Sequence, residues 1–304
     1  MRRSKLNDYL HLHFIVFIWG FTAILGKLIT VNAVPLVWYR MLLASILIIF
    51  YFLLRKKSFL VDRKSGLKFV VSGILIALHW ITFFKAIKIS NVSVALVTMS
   101  TGAFFTSFIE PFFFKRKIRV IEIFLGALVI VGLYIIFSFE AQYTWGIIYA
   151  LISSFLGALF AVLNGLFIKK NEAAVISLYQ LVYGALFMTI YMMFSGGFTE
   201  NIFTLTKTDW IYLILLSSIC TAYAFIASVH VMRSLTPYTV MLTINLEPVY
   251  AIILALMIFG EDEKMNAAFY MGASIVLLVV LLNGILKNVT IMQKKRKRKP
   301  LQKK

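Results

Sequence analysis

The stretch ALHWITFFKAIKISNVSVALVTMS, Ala77 to Ser100, lines up without gaps on AYAFIASVHVMRSLTPYTVMLTIN, Ala222 to Asn245. The offset is 145 residues, and the paired positions agree in character: Trp80 with Phe225, Lys88 with Arg233, Thr98 with Thr243. Each copy is two apolar runs joined by a short polar link. Working outward, the first set of runs is 10–29, 35–54, 67–87, 92–114 and 119–139. The second set is 143–168, 173–195, 209–230, 237–259 and 265–287. Each is near the roughly 20 apolar residues that span a bilayer as a helix. A membrane barrel would show alternating strands of ~10 residues instead. The expected fold is therefore an all-α membrane protein with ten transmembrane helices in two sets of five. Five is odd, so the second copy must enter the membrane upside down relative to the first. The expected units are 1–140 and 141–287, each a five-helix repeat, and a basic tail, 288–304. Inverted repeats place a binding site near mid-membrane between the halves, and rocking of the halves exposes it to either side in turn.

Composition agrees. Of 304 residues 61% are hydrophobic and 14% charged, against about half and a quarter in an ordinary soluble domain. The formal charge of +19 does not point to nucleic acid, because the bases sit in short gaps and at the end of the chain. Such bases orient a protein and touch anionic lipid. With the N-terminus inside, 25 of the 31 bases fall on the cytoplasmic side and 4 outside. Both termini are thus expected in the cytoplasm, in a cell inner membrane, and Trp38, Trp145 and Trp210 fall at the outer interface. The segment Leu10–Ile29 is too long for a signal-peptide core and reads as the first span. The single cysteine, Cys220, offers no disulfide framework or thiolate metal site.

Three motifs carry a family resemblance: WGFTAILGK at Trp19–Lys27, WYRMLLAS around Arg40, and NLEPVYAIILALMIFGE at Asn245–Glu261. FYMGASIVLL at Phe269–Leu278 follows them. Together they resemble the EamA family of the drug/metabolite transporter superfamily over nearly the whole chain. The first half departs from the pattern, with Ala103 where a counterpart of Pro248 is usual and Arg116 where one of Glu261 is usual. The resemblance implies two homologous five-helix halves and export of amino acids, amines or other metabolites by proton coupling or exchange.

Ionisable groups inside a span are costly and mark candidate sites. Glu247 lies about ten residues, roughly 15 Å, from either end of its run, beyond snorkelling reach. Pro248 beside it has no N–H for the carbonyl of Ile244, and Asn245 adds polar capacity. Glu247 is read as a substrate or proton site. Glu110-Pro111 looks like a twin, but in the repeat register Glu110 matches Ala255; it is expected to pair with Lys115 or Arg116 near the cytoplasmic interface. Arg40 is either a snorkelling base or a fork for a carboxylate. Lys27 and Lys85 are expected to snorkel. Trp19, His79 and Trp80 lie at mid-depth, either as core packing or as a pocket wall with a cation–π face for an amine. Gln180, with Tyr179 and Asn164, is a weaker candidate. Ser153, Gly157, Ala161 and Gly165 form a small-residue stripe for close helix approach.

No Walker-type loop, zinc-protease or nucleophile-elbow motif is present, and no enzyme activity, cofactor or metal is expected. The expected partners are a small-molecule substrate, membrane lipids and, on the protein side, a second copy in a homodimer; nucleic acid is not among them. The function read from the sequence is a secondary transporter that exports small metabolites by alternating access. The alternatives weighed are a membrane-embedded enzyme on lipid-linked substrates and a passive channel.

Overall fold

An apolar run in lipid satisfies its backbone groups internally, and helices are the simplest way to do so. In a computed structural model, which describes residues 2–115, 117, 120–139, 141–198, 200–279 and 282, the described residues form helices and no strand. The first half holds α1 (Arg2–Leu28), α2 (Ala33–Leu54), α3 (Arg63–Ile89), α4 (Val92–Met99), α5 (Gly102–Phe114) and α6 (Val120–Phe139). The second holds α7 (Thr144–Phe167), α8 (Ala173–Phe194), the short α9 (Glu200–Phe203), α10 (Lys207–Ser217), α11 (Ala224–Val231), α12 (Pro237–Ile244) and α13 (Glu247–Phe259). A further apolar helix covers Ala267–Val279.

Among the described residues eight segments are long and apolar enough to cross a membrane. Three of these are composite: α4 with α5, α10 with α11, and α12 with α13. Ala127–Ile136 within α6 and Ala267–Val279 are shorter apolar helices. Large apolar side chains such as Phe112, Phe194 and Met257 stand 82%, 89% and 78% exposed, a surface that only lipid or another apolar partner covers. The chain is a multi-pass membrane protein. Lys294–Lys299, Arg116 and Arg119 lie outside the described residues.

Helix starts follow local capping chemistry. Asp62 accepts from Ser65 N at 2.7 Å and from its Oγ at 2.9 Å, bonds that hold this exposed carboxyl below the usual carboxylate range. Asn91 accepts from Val94 N at the start of α4, and Thr206 and Asp209 cap α10 reciprocally. Pro237 stands in the first turn of α12, where its missing N–H costs nothing.

Two of the uninterrupted runs expected from sequence are broken part-way along their length. The run 92–114 stops at Met99 and restarts at Gly102; the run 237–259 stops at Ile244 and restarts at Glu247. Val92 and Pro237, Met99 and Ile244, Gly102 and Glu247, Phe114 and Phe259 are each 145 residues apart. The second break has a cause legible in sequence, Pro248. The first has no proline, and hydroxyls take over its backbone. Thr101 Oγ1 donates to Thr98 O at 2.8 Å, and Ser154 Oγ donates to Met99 O at 3.1 Å. A third expected run, 209–230, contains a wide turn, the π-helix Ser218–Tyr223.

α3 packs along α7 and α8. The crossing with α8 is backbone to backbone: a Cβ on Gly73 would lie 2.7 Å from Gln180 O and 3.1 Å from Gly184 N. The crossing with α7 uses the small stripe, where a Cβ on Gly157 would lie 2.9 Å from the His79 ring; further along the stripe, one on Gly165 would overlap the Pro237 ring of α12. Gly73→Ala has no flexible neighbour to yield. It is expected to cost about 1–3 kcal/mol, as overpacking does, read as a lower melting temperature in detergent. Gly196→Ala is a control for crowding, since its neighbourhood is empty, though its φ of +67° adds backbone strain.

Candidate functional site

Both helix breaks open onto one cavity of about 130 Å³. At 10–15 Å³ per water that is room for roughly ten waters, the scale of a small metabolite. Its walls come from α1, α2, α3, α4, α7, α11, α12 and α13. Six of the seven residues singled out from sequence line it: Trp19, Arg40, His79, Trp80, Asn245 and Glu247. Gln180 does not. It stands behind the wall, where Nε2 donates to Asn164 Oδ1 at 2.7 Å and to Ser72 Oγ at 3.0 Å. Asn164 itself faces the cavity, so Gln180 holds a lining residue rather than lining.

Arg40 corrects the snorkelling alternative. It is 2% exposed because its side chain turns along Trp80, not toward the outer interface. The guanidinium carbon lies 3.8 Å from the Trp80 ring centre and 5.5 Å from that of Phe84. Nε donates to Thr221 Oγ1 at 2.6 Å, and Nη2 is 3.5 Å from Cys220 O, long for a hydrogen bond. Nη1 has no partner, and Arg40 makes no ion pair among the described residues. The cation–π face imagined for an amine on Trp80 is therefore taken by the protein's own cation.

The wide turn in the seventh long segment, between α10 and α11, makes this arrangement. In an α-helix each carbonyl is engaged four residues on. Here Thr221 Oγ1 donates to Leu216 O at 2.7 Å, and the loosened Cys220 carbonyl accepts from Trp19 Nε1 at 3.1 Å. Such bulges recur at functional sites because they turn backbone groups outward. Cys220 and Thr221 thus fix two lining side chains from two other helices. Nothing in SICTAY announces this.

His79 is fixed from α7. Ser153 has one hydroxyl proton, which goes to His79 O at 2.8 Å; the ring Nδ1 then donates to Ser153 O at 2.8 Å. That pattern assigns the Nδ1–H tautomer and leaves Nε2 as an acceptor. Glu247 opens α13 beside the break and touches the cavity with Pro248, while Ser100 faces it from the other break. Asn245 caps α12, is 4% exposed, and its Nδ2 has no partner. Glu110 is also buried, at 6%, but does not line the cavity.

The far end of α13 carries a second polar cluster that sequence reasoning missed. Glu263 is fully buried: Oε1 accepts from Lys27 Nζ at 2.8 Å and Val92 N at 2.9 Å, Oε2 from Ser93 N and Ser93 Oγ at 2.9 Å. Lys27 is paired, not snorkelling. Asp209 accepts from Thr30 N and Oγ1 at 2.8 Å, and Lys88 Nζ donates to Ile29 O at 2.7 Å. The ends of α1, α3, α4, α10 and α13 are tied together there.

Comparison with known proteins places this geometry. The model of the EamA-like transporter family matches residues 9–138 and again 144–285. The chain belongs to that family. A protein of Archaeoglobus fulgidus described as an uncharacterized transporter is 22% identical over 274 residues, which cover 87% of this chain and 93% of the relative. A solved crystal structure matches with a TM-score of 0.65 at 14% identity, covering 90% of this chain and 96% of that one; it speaks for the fold. The EamA-like chain is accordingly a membrane transporter protein by family, with a polar cavity at two broken helices.

Proposed function

We propose that this EamA-like protein is a secondary exporter of small metabolites, amino acids, amines or related compounds, working by alternating access with proton coupling or exchange. Its ten transmembrane helices form two inverted five-helix halves, 1–140 and 141–287, followed by a basic cytoplasmic tail. The observation that carries the reading is the meeting of two interrupted helices at one cavity holding Arg40 and Glu247. Interrupted spans belong where backbone lines a substrate path, and the shared 145-residue register of the two breaks supports a duplicated, symmetric origin. Glu247 exchanges the proton, and the halves rock about the cavity.

The cavity reaches Met232 and Val240, near helix ends assigned to the cytoplasm. The opposite ends are tied by Glu263 and Asp209. Loading from the cytoplasm with the outer side closed supports export. Metabolite flux in proteoliposomes, with and without an imposed pH gradient, tests the proposal. Gradient-driven, saturable flux is expected; flux that never saturates would replace the transporter with a channel.

Topology is tested separately. Both termini belong in the cytoplasm of a cell with its inner membrane as host. Reporter fusions after Arg63, Lys117 and Lys170 are expected to report cytoplasm, and fusions after Gln142 and Asn201 the outer side. A map with an odd number of spans would end the two-copy reading. Truncation after Val289 is expected to leave flux intact, since six consecutive like charges repel and serve lipid contact.

A further inference from the structure

A guanidinium at 2% exposure with no carboxylate within 4.0 Å among the described residues is an unfinished ion pair. Burying a cation is costly unless a charge and hydrogen bonds compensate. Arg40 has the hydrogen bond at Nε and the aromatic faces of Trp80 and Phe84, but Nη1 is unpartnered. Glu247 lines the same cavity and forms no ion pair with it. Asn245, on the facing broken helix, also ends in an unpartnered Nδ2. Arg40 Nη1, Asn245 Nδ2 and the Thr22 hydroxyl are thus buried polar atoms on one cavity with no partner, and the first belongs to a fork whose geometry matches a carboxylate. Most of the rest of the wall is apolar, with Ile76, Phe83, Phe160, Phe225 and Met241 among its residues beside the polar His79, Ser100, Asn164 and Ser228.

We infer that the transported compound must carry a carboxylate, bound by Arg40 Nη1 and Asn245 Nδ2, on an apolar body, and that simple amines are not substrates. The inference rests on the cavity being the transport site and narrows its substrate class. Thr221 and Cys220 are positioning residues, which aim the fork by holding its other edge. An amine in this cavity would meet Arg40 as a like charge. It would also find the Trp80 face that Arg40 already covers closed to it.

The test is equilibrium binding to the full-length purified protein, so it does not depend on flux. Two probe pairs differ only at the acid: phenylacetate with phenylacetamide, and phenylalanine with phenylalaninamide; phenethylamine is the cation alone. Within at least one pair the acid is expected to bind about tenfold or more tighter than its amide, and phenethylamine not to saturate. Asn245→Leu is expected to weaken the acids by a larger factor than the amides, because a carboxylate is the stronger acceptor, a difference that general misfolding does not produce. Arg40→Lys, which keeps the charge but loses the fork, is expected to close the gap between acid and amide. Amides binding as tightly as acids, phenethylamine binding best, or no saturable binding of either acid would each overturn the inference. Acid-selective binding without any flux in vesicles would instead keep the inference and remove the transporter reading.

Discussion

Glu263→Ala is expected to destabilise the protein by about 3–5 kcal/mol, the usual cost of deleting one member of a buried ion pair. The carboxylate is fully buried and accepts four bonds, from Lys27 Nζ, Val92 N, Ser93 N and Ser93 Oγ. Val92 and Ser93 are the first residues of α4, whose early N–H groups have no partner within the helix. Alanine therefore strands two backbone donors, a hydroxyl and the Lys27 ammonium at once, and it unties three helix ends. Glu261→Ala is the control. That side chain is 84% exposed and meets only Lys264, 3.1 Å away and itself 65% exposed, a class of pair worth little. Thermal unfolding of both variants in the same detergent decides the matter. A Glu263→Ala protein that melts with the wild type would show that the Glu263 cluster adds no stability.

The contrast between these two glutamates marks where sequence reading stops. Composition and run length suffice for an α-helical membrane protein, because nothing but the bilayer accommodates so much apolar surface. The position of Glu247 along its run was equally legible, and Pro248 is a legible cause of the break, though the run read as uninterrupted. Which of the three acids in GEDE turns inward was not legible. That depends on a tight turn at Gly260–Glu263, entered with Gly260 at a φ of +57°, and Glu261 drew the attention instead. Depth is one coordinate of a helical residue and azimuth is the other. Arg40 looked shallow enough to reach the interface, yet its azimuth sends it onto Trp80. Gln180 has a plausible depth and the wrong azimuth. The break at Ser100 is held by the Ser154 hydroxyl of α7, and the wide turn at Ser218–Tyr223 by its own Thr221 hydroxyl reaching back to Leu216 O. The first depends on a residue distant in sequence, and the second on a threonine that no motif marks.

Glu247→Gln is expected to abolish pH-driven flux while the protein still inserts and folds. Glutamine keeps the shape and most of the hydrogen-bonding capacity of the side chain but has no proton to release. At Glu247 that matters, because the group borders the cavity, belongs to no ion pair among the described residues, and sits where only protein, cavity water or substrate meets its charge. Glu110→Gln makes the same chemical change in the other Glu-Pro pair. Glu110 is the more buried of the two, but it lies about two turns beyond the break in α5 and off the cavity wall. It is expected to keep its pH-driven flux, with any cost showing as a lower melting temperature. Counterflow of labelled against unlabelled substrate, with no pH gradient, separates coupling from binding: Glu247→Gln retains exchange if the carboxyl serves only the proton. pH-driven flux at wild-type level in Glu247→Gln would remove the proton assignment, and loss of flux in a well-folded Glu110→Gln would move it to the first half.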